Sequence, residues 1–266
     1  MQLDDIFSQL WQQYITDSPE VAKIYQLFVD RGEMVINDHI ALRTFDDPRV
    51  NVDKLGQFFI DLGYQAKGNY FFKVKKLTAK HYEHKTDPTQ PKIFISQLLT
   101  QECGTELQTV AKQCIDTLPK TLLSSPELLI AGAHWQPLDY STYQNLAQAS
   151  AYAAWLYAFG FRANHFTINV NALKTLGSLQ EVNALLLEKG FALNTSGGVI
   201  KGSPQDLLEQ SATLANTVEL TFRQGIKSIP NSYYEFAKRY PDKKGVLYQG
   251  FITTSADKIF ESTNAK

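Results

Sequence analysis

The sequence predicts an α+β fold in which two repeated βαβββ-like units form one curved sheet around a cleft, with additional helices outside it. Three observations carry this. An alternating segment that opens with Asp38-His39-Ile40 returns as one that opens with Asn164-His165-Phe166. Each is followed by a helical pattern that stops at a glycine, Gly63 lying 24 residues past His39 and Gly190 lying 25 past His165. The strings at those stops, FFIDLGYQ and LLLEKGFA, agree in pattern more than in identity.

Taken in order, residues 1–32 are helical. Leu3, Ile6, Phe7, Leu10, Trp11 and Tyr14, then Val21, Ile24, Leu27 and Phe28, recur at the spacing of one helical face. Ser18-Pro19-Glu20 reads as the start of the second helix, with Ser18 as its cap and Pro19 in the first helical position. From Met34 to Phe45 the period changes to two. Ile40 and Leu42 alternate with His39, Ala41 and Arg43, which gives a strand with one apolar face and one chemically equipped face. A helix over 52–62 ends at Gly63, where a left-handed cap fits. Residues 64–76 and 92–98 read as strands, with the polar KHYEHKTDPTQP between them as a loop.

Residues 100–160 read as a helical connector broken near Pro119, Pro126 and Pro137. The first pattern then returns. His165, Thr167 and Asn169 share one face of a strand, and Phe166, Ile168 and Val170 the other. A helix over 179–189 follows, and further strands over 191–194, 198–202 and 217–223. The expected organisation is a single domain over 1–266: helical N-terminus 1–32, first half-unit 33–99, connector 100–160 and second half-unit 161–266.

Composition excludes several classes of partner. Lys plus Arg number 26 and Asp plus Glu 27, so a net charge of -1 provides no basic field for nucleic acid and no polybasic patch for a membrane. No run of about 18 apolar residues is present for a spanning helix. The opening residues MQLDDIFSQLWQQY lack the apolar core of a signal peptide. Cys103 and Cys114 read as reduced thiols, and the location expected from these features is cytoplasmic.

The chain has five histidines: His39, His81, His84, His134 and His165. His39 and His165 occupy matching places in the two halves, on the equipped face of each strand, so a pseudo-twofold axis would bring both imidazoles into the cleft. Neutral imidazole is the commonest metal ligand, and two histidines with one carboxylate form the facial triad of non-haem Fe(II) oxygenases. Either histidine alone reads as an ordinary hydrogen-bonded strand residue; the matched placement favours ligands. Two glutamates compete for the third position. Glu235 sits in the aromatic run Ser232-Tyr233-Tyr234-Glu235-Phe236, where a carboxylate needs a partner. Glu219 faces away from Val218, Leu220 and Phe222, and its ordinary reading is a solvated strand residue. Arg43 lies on the His39 face, about 13 Å along the strand. It reads equally as a clamp for a substrate carboxylate or as a salt bridge at the mouth of the cleft. His81 and His84 read as surface loop residues, and His134 as a packing or capping residue. No phosphate loop, GxSxG elbow or CxxC pair is present.

These motifs are similar to those of a known family. Asn37-Asp38-His39-Ile40-Ala41-Leu42-Arg43-Thr44-Phe45, Ala163-Asn164-His165-Phe166-Thr167, Ser232-Tyr233-Tyr234-Glu235-Phe236-Ala237, and Gly250-Phe251-Ile252 with Ala256-Asp257-Lys258-Ile259-Phe260-Glu261-Ser262-Thr263 resemble the family long called DUF1338. That family includes the 2-oxoadipate dioxygenase/decarboxylase of lysine catabolism, and its fold is similar to the vicinal oxygen chelate group. The resemblance implies a metal held by His39, His165 and Glu235, with Arg43 binding a substrate carboxylate. It implies Fe(II), with zinc or another divalent ion as the alternative, and a 2-oxo acid and dioxygen as the small-molecule partners. The implied reaction is oxidative decarboxylation followed by hydroxylation of the same molecule, 2-oxoadipate giving 2-hydroxyglutarate. A zinc-type lyase, isomerase or hydrolase on the same scaffold, and a non-catalytic binding module, are the competing expectations.

Overall fold

A computed structural model describes residues 1–263. Its elements in chain order are α1 (Leu3–Asp17), α2 (Pro19–Asp30), β1 (Asn37–Phe45), α3 (Val52–Asp61), β2 (Tyr64–Phe72), β3 (Leu77–His84) and β4 (Lys92–Leu98). Next come α4 (Thr105–Asp116), α5 (Lys120–Leu123), α6 (Tyr140–Ala149) and α7 (Ala151–Phe159). The chain continues through β5 (Ala163–Asn169), α8 (Leu179–Glu188), β6 (Lys201–Ser203), β7 (Leu208–Ala212), β8 (Thr217–Phe222), β9 (Gly225–Pro230), β10 (Glu235–Arg239) and α9 (Thr253–Ile259).

Eight strands form one sheet in the order β2-β3-β4-β1-β5-β10-β7-β6. The seam is β1 against β5, antiparallel, with Ala41 opposite His165 and His39 opposite Thr167. Outward from the seam the two halves mirror each other. β1 pairs with β4 in parallel, and β5 pairs with β10 in parallel; antiparallel partners then follow on each side. Each half is therefore one βαβββ unit, as the repeated pattern predicts. In the second unit the hairpin β8–β9 is inserted before β10 and forms a separate two-stranded sheet.

The helices of the two units begin and end on matching signals. Asn51 accepts from the Lys54 amide at 2.8 Å and Ser178 from the Glu181 amide at 3.2 Å, each capping its helix start. Gly63 and Gly190 close them with φ of +102° and +83°, a left-handed conformation that β-carbons disfavour.

One face of the sheet is covered. Ile6, Leu10 and Tyr14 of α1 and Val21, Ile24 and Phe28 of α2 are buried, and Trp11 meets Phe166 edge-on at 5.0 Å. The connector helices continue this cover. α7 is buried all round, from Tyr152 to Phe159, which its uniformly apolar sequence requires. Gly160 ends it at φ +66°, where a Cβ would collide with the Gly132 carbonyl.

Several expectations need correction. The 64–76 stretch is not one strand but β2 and a turn, and β3 runs from Leu77 to His84, so all of KHYEH is strand rather than loop. Its polar residues disguised a strand buried on both faces, with His81 on one and Tyr82 bonded to the Val52 carbonyl of α3 on the other. Ser18 does not cap α2 through its side chain; its hydroxyl instead receives the Asn231 amide at 3.1 Å. His134 is exposed rather than packed. The 191–194 stretch contributes only a bridge, Leu193 to Thr213, and 198–202 pairs only from Lys201. Cys103 and Cys114 are free thiols. Among the described residues, no helix is long and apolar enough to cross a membrane.

Candidate metal centre

The other face of the sheet presents His39, Ala41 and Arg43 from β1, His165 from β5, and Glu235 from the first position of β10. His39, His165 and Glu235 each offer one ligand atom within 4.8 Å of the others, and all three residues are buried. Glu235 bridges the imidazoles: Oε2 lies 2.9 Å from His165 Nε2 and Oε1 3.7 Å from His39 Nε2. The competing carboxylate is elsewhere. Glu219 is exposed on β8, opposite Ser228 in the separate hairpin.

Each histidine is oriented by the residue before it. His39 Nδ1 donates to Asp38 Oδ1 at 2.8 Å, and His165 Nδ1 to Asn164 Oδ1 at 3.0 Å. Both rings therefore turn Nε2 toward Glu235. The ladder shifts register between Asn37 and His39, a bulge that lets adjacent residues address one site. The two environments differ in charge. Burial favours the neutral form of His39, but the Glu235 and Asp38 carboxylates outweigh it and raise its pKa. Burial dominates at His165 and lowers its pKa. Burial also pulls the Glu235 carboxyl upward, yet the His39 charge and the hydrogen bond from His165 hold its pKa down to about 2. Glu235 is therefore an anion at neutral pH, and Gln210 Nε2 donates to it at 2.5 Å.

This donor set fits a divalent ion. Two oriented imidazoles and a carboxylate suit iron, zinc, cobalt or manganese, and three protein ligands leave coordination positions free. Nearby polar atoms are left without partners: Arg43 Nε and Nη1, Asn164 Nδ2, Gln210 Oε1 and the Tyr233 hydroxyl. All belong to residues lining one cavity with the three candidate ligands. Buried polar atoms are nearly always satisfied, so this concentration marks a place prepared for a polar ligand. Of these residues, sequence reasoning found Arg43 and missed Asn164, Gln210 and Tyr233. Asn164 was legible as the counterpart of Asp38.

Arg43 is not a salt bridge at the mouth of a cleft. It is 2% exposed, and among the described residues it faces no carboxylate and has one side-chain hydrogen bond, from Nη2 to Thr263 Oγ1 at 3.3 Å. Its guanidinium lies over Tyr152 at 4.8 Å and Trp155 at 5.1 Å, both from α7. The connector thus builds the arginine's pocket. On the candidate ligands' side of Arg43 the cavity is small, about 20 Å³, which holds roughly one water molecule. On its other side lies an open groove of about 590 Å³ lined by Lys75, Tyr143, Trp155, Phe260 and Thr263. His81, expected at the surface, is 3% exposed on the cleft side, between Tyr70 at 2.8 Å and Glu83 at 2.9 Å.

Paired βαβββ units around a buried His-His-Glu group define a fold similar to the glyoxalase type, with a candidate metal site. A Ralstonia eutropha protein of the glyoxalase superfamily shares this fold, with a TM-score of 0.73 at 20% identity over 91% of this chain and 83% of that one. The chain belongs to the 2-oxoadipate dioxygenase/decarboxylase family, whose profile matches residues 5–245. It is 34% identical to the chloroplastic/amyloplastic 2-oxoadipate dioxygenase/decarboxylase of Oryza sativa, over 97% of this chain and 78% of that protein. The crystal structure of hydroxyglutarate synthase from Oryza sativa in complex with 2-oxoadipate superposes with a TM-score of 0.90 at 32% identity, covering 98% of this chain and 91% of that one. A Shewanella frigidimarina protein named as a candidate hydrolase is 46% identical, with a TM-score of 0.88 over 94% of this chain and 97% of that one.

Proposed function

We propose that this protein is a non-haem Fe(II) oxygenase that converts a 2-oxo dicarboxylic acid and dioxygen into carbon dioxide and the 2-hydroxy acid one carbon shorter, 2-oxoadipate giving 2-hydroxyglutarate. One observation carries the reading. A buried His39-His165-Glu235 group shares its cavity with a buried arginine that has no anionic partner among the described residues. The family and the rice structure with 2-oxoadipate supply the substrate class.

In this reading His39, His165 and Glu235 hold the ion. Bound Fe(II) would supply electrons to dioxygen and polarise the 2-oxo acid. The chain's own residues set the conditions. Asp38 and Asn164 keep both Nε2 atoms aimed at one point. Gln210 steadies the Glu235 carboxylate. Arg43 has its Nε–H and Nη1–H free to donate to substrate oxygens, a charge-assisted pairing with a carboxylate that fixes orientation as well as charge. The Tyr233 hydroxyl and the Asn164 amide are further donors for the acid's oxygens. Phe94, Phe251, Ile259 and Phe260 keep water out. A cytoplasmic location is part of the proposal, since two free cysteines fit a reducing compartment; fractionation of cells expressing the tagged chain tests it.

The test is oxygen uptake by anaerobically purified, Fe(II)-loaded protein with and without 2-oxoadipate. Oxygen consumed in equal amount to the carbon dioxide and 2-hydroxyglutarate formed is the expected result, lost in His39→Ala. The name of the Shewanella relative favours a second reading, zinc-type hydrolysis with the same ligands. Turnover of an oxo acid or ester under argon by zinc-loaded protein would select that reading instead.

A further inference from the structure

The two halves of the sheet share a register, and at one position beside the candidate ligands they carry opposite chemistry. In the second half the parallel ladder sets Glu235 opposite Thr167, two residues after His165. In the first half the corresponding ladder sets Phe94 opposite Ala41, two residues after His39. Phe94 is therefore the counterpart of Glu235, and it lines the same cavity. Symmetry places a benzyl group where the other unit places a carboxylate.

Among the described residues around Phe94 no donor is free: His81, its cross-strand partner, has both ring nitrogens engaged, with Tyr70 and Glu83. The Phe94 ring packs on Phe251 at 4.9 Å, and Phe251 in turn meets the His39 ring edge-on at 4.8 Å. The neighbouring Ala41 offers no donor, and Ser96, the next polar group on β4, has its hydroxyl engaged with Tyr152 at 3.0 Å. No carboxylate, imidazole or thiol among the described residues joins the three candidate ligands.

We propose that Phe94 sets the ligand number of this site: it withholds a fourth protein donor, so the side of the ion facing the first unit is left for oxygen atoms of the substrate and dioxygen. This rests on the metal reading above and deepens it by naming the residue that keeps the site reactive. A carboxylate here would add an anionic donor, which tightens metal binding while filling a position the reaction needs.

Cobalt(II) is the probe, because its visible absorption reports coordination number. The purified full chain is titrated with cobalt under argon, then with 2-oxoadipate. Phe94→Glu is expected to bind cobalt more than about tenfold tighter than the parent. Its absorption should shift, and 2-oxoadipate should no longer perturb it. Phe94→Leu should match the parent in cobalt affinity and in its response to 2-oxoadipate. Where Phe94→Glu does not fold, Phe94→Gln brings an uncharged oxygen donor to the same place and should shift the spectrum alone. A parent protein that binds cobalt, with Glu and Gln variants unchanged in affinity and spectrum, overturns the role of Phe94. A parent that binds no cobalt overturns the metal reading itself.

Discussion

Asp38 accepts two hydrogen bonds from Arg239, from Nε at 2.7 Å and Nη2 at 2.8 Å, while the same carboxylate takes the Nδ1 proton of His39. The pair joins the bulge at the start of β1 to the end of β10, across the seam. The remaining nitrogen, Arg239 Nη1, donates to the carbonyls of Tyr248 and Gly250, next to Phe251. One ion pair thus ties both sheet halves and the covering segment to one candidate ligand.

Asp38→Asn should therefore damage stability and metal binding together. Removing one partner of a buried pair strands the other charge, at a cost of about 3–5 kcal/mol. Losing the group that orients a ligand histidine lowers metal affinity about 10–100-fold. Replacing Arg239 by Met in the same chain should recover part of the stability and none of the affinity. Urea unfolding and chelator competition read the two quantities separately.

Arg43→Met should separate them in the other direction. The guanidinium is buried with two nitrogens unpaired, so an apolar side chain of similar length leaves the unliganded protein as stable or more so, by about 1–4 kcal/mol. Binding of 2-oxoadipate should weaken by about 2–5 kcal/mol as the ion pair with its carboxylate is lost. Thermal unfolding and calorimetric titration check this, and a large loss of stability would deny Arg43 a binding role.

Glu33 gives a pH prediction away from the site. It accepts from the Lys174 and Thr175 amides at 2.6 and 2.7 Å and from the Thr175 hydroxyl at 2.5 Å, fastening the turn after α2 to the segment after β5. Burial raises its pKa, but these donors outweigh burial and lower it from the ordinary 4.5. A depressed carboxyl pKa contributes stability above its unfolded value and loses it as pH falls through the folded one. Glu33→Gln should cost about 1–3 kcal/mol at pH 7. The gap to the parent should close progressively below pH 4.5. A gap constant down to acid pH would contradict the assignment.

Lys75 lies at the groove beside Arg43 and holds α9 through Asp257 at 3.0 Å and, beyond it, Glu261 at 3.4 Å. These partly exposed pairs are worth about 0–1 kcal/mol each. Lys75→Ala should therefore leave unfolding nearly unchanged yet speed association of 2-oxoadipate, measured by stopped-flow fluorescence of Trp155. An unchanged association rate would show that α9 does not control entry.

The histidine pair was legible because the duplication was legible: His39 and His165 carry the same local pattern in units that fold alike. Glu235 was not readable from alternation. β10 is a five-residue strand whose inward positions, Glu235, Ala237 and Arg239, show no apolar period, and only the family motif singled it out. Glu219 was the better alternating glutamate, but alternation reports a strand's two faces and not which sheet the strand joins. His81 was misread because its burial comes from the pairing of β3 with β2, where Tyr70 is a partner that no local spacing reveals; only Glu83, two residues on, was in view. The orphan donors of Arg43 were beyond reach for the same reason, since their vacancy is defined by what α7 and Phe260 leave unfilled.

The small size of the cavity sets unequal terms for the two reactants of the proposed reaction. With about 20 Å³ free, it admits a molecule the size of water or dioxygen without rearrangement. A six-carbon diacid cannot enter until a wall moves. The sheet walls are laced by ladder hydrogen bonds, whereas Phe260, which lines both the cavity and the groove, follows α9, a short helix tied to Lys75 through Asp257. Gas therefore arrives by diffusion and the acid by invitation: at high acid concentration its capture should level off at the opening rate of the wall, while the oxygen dependence stays linear.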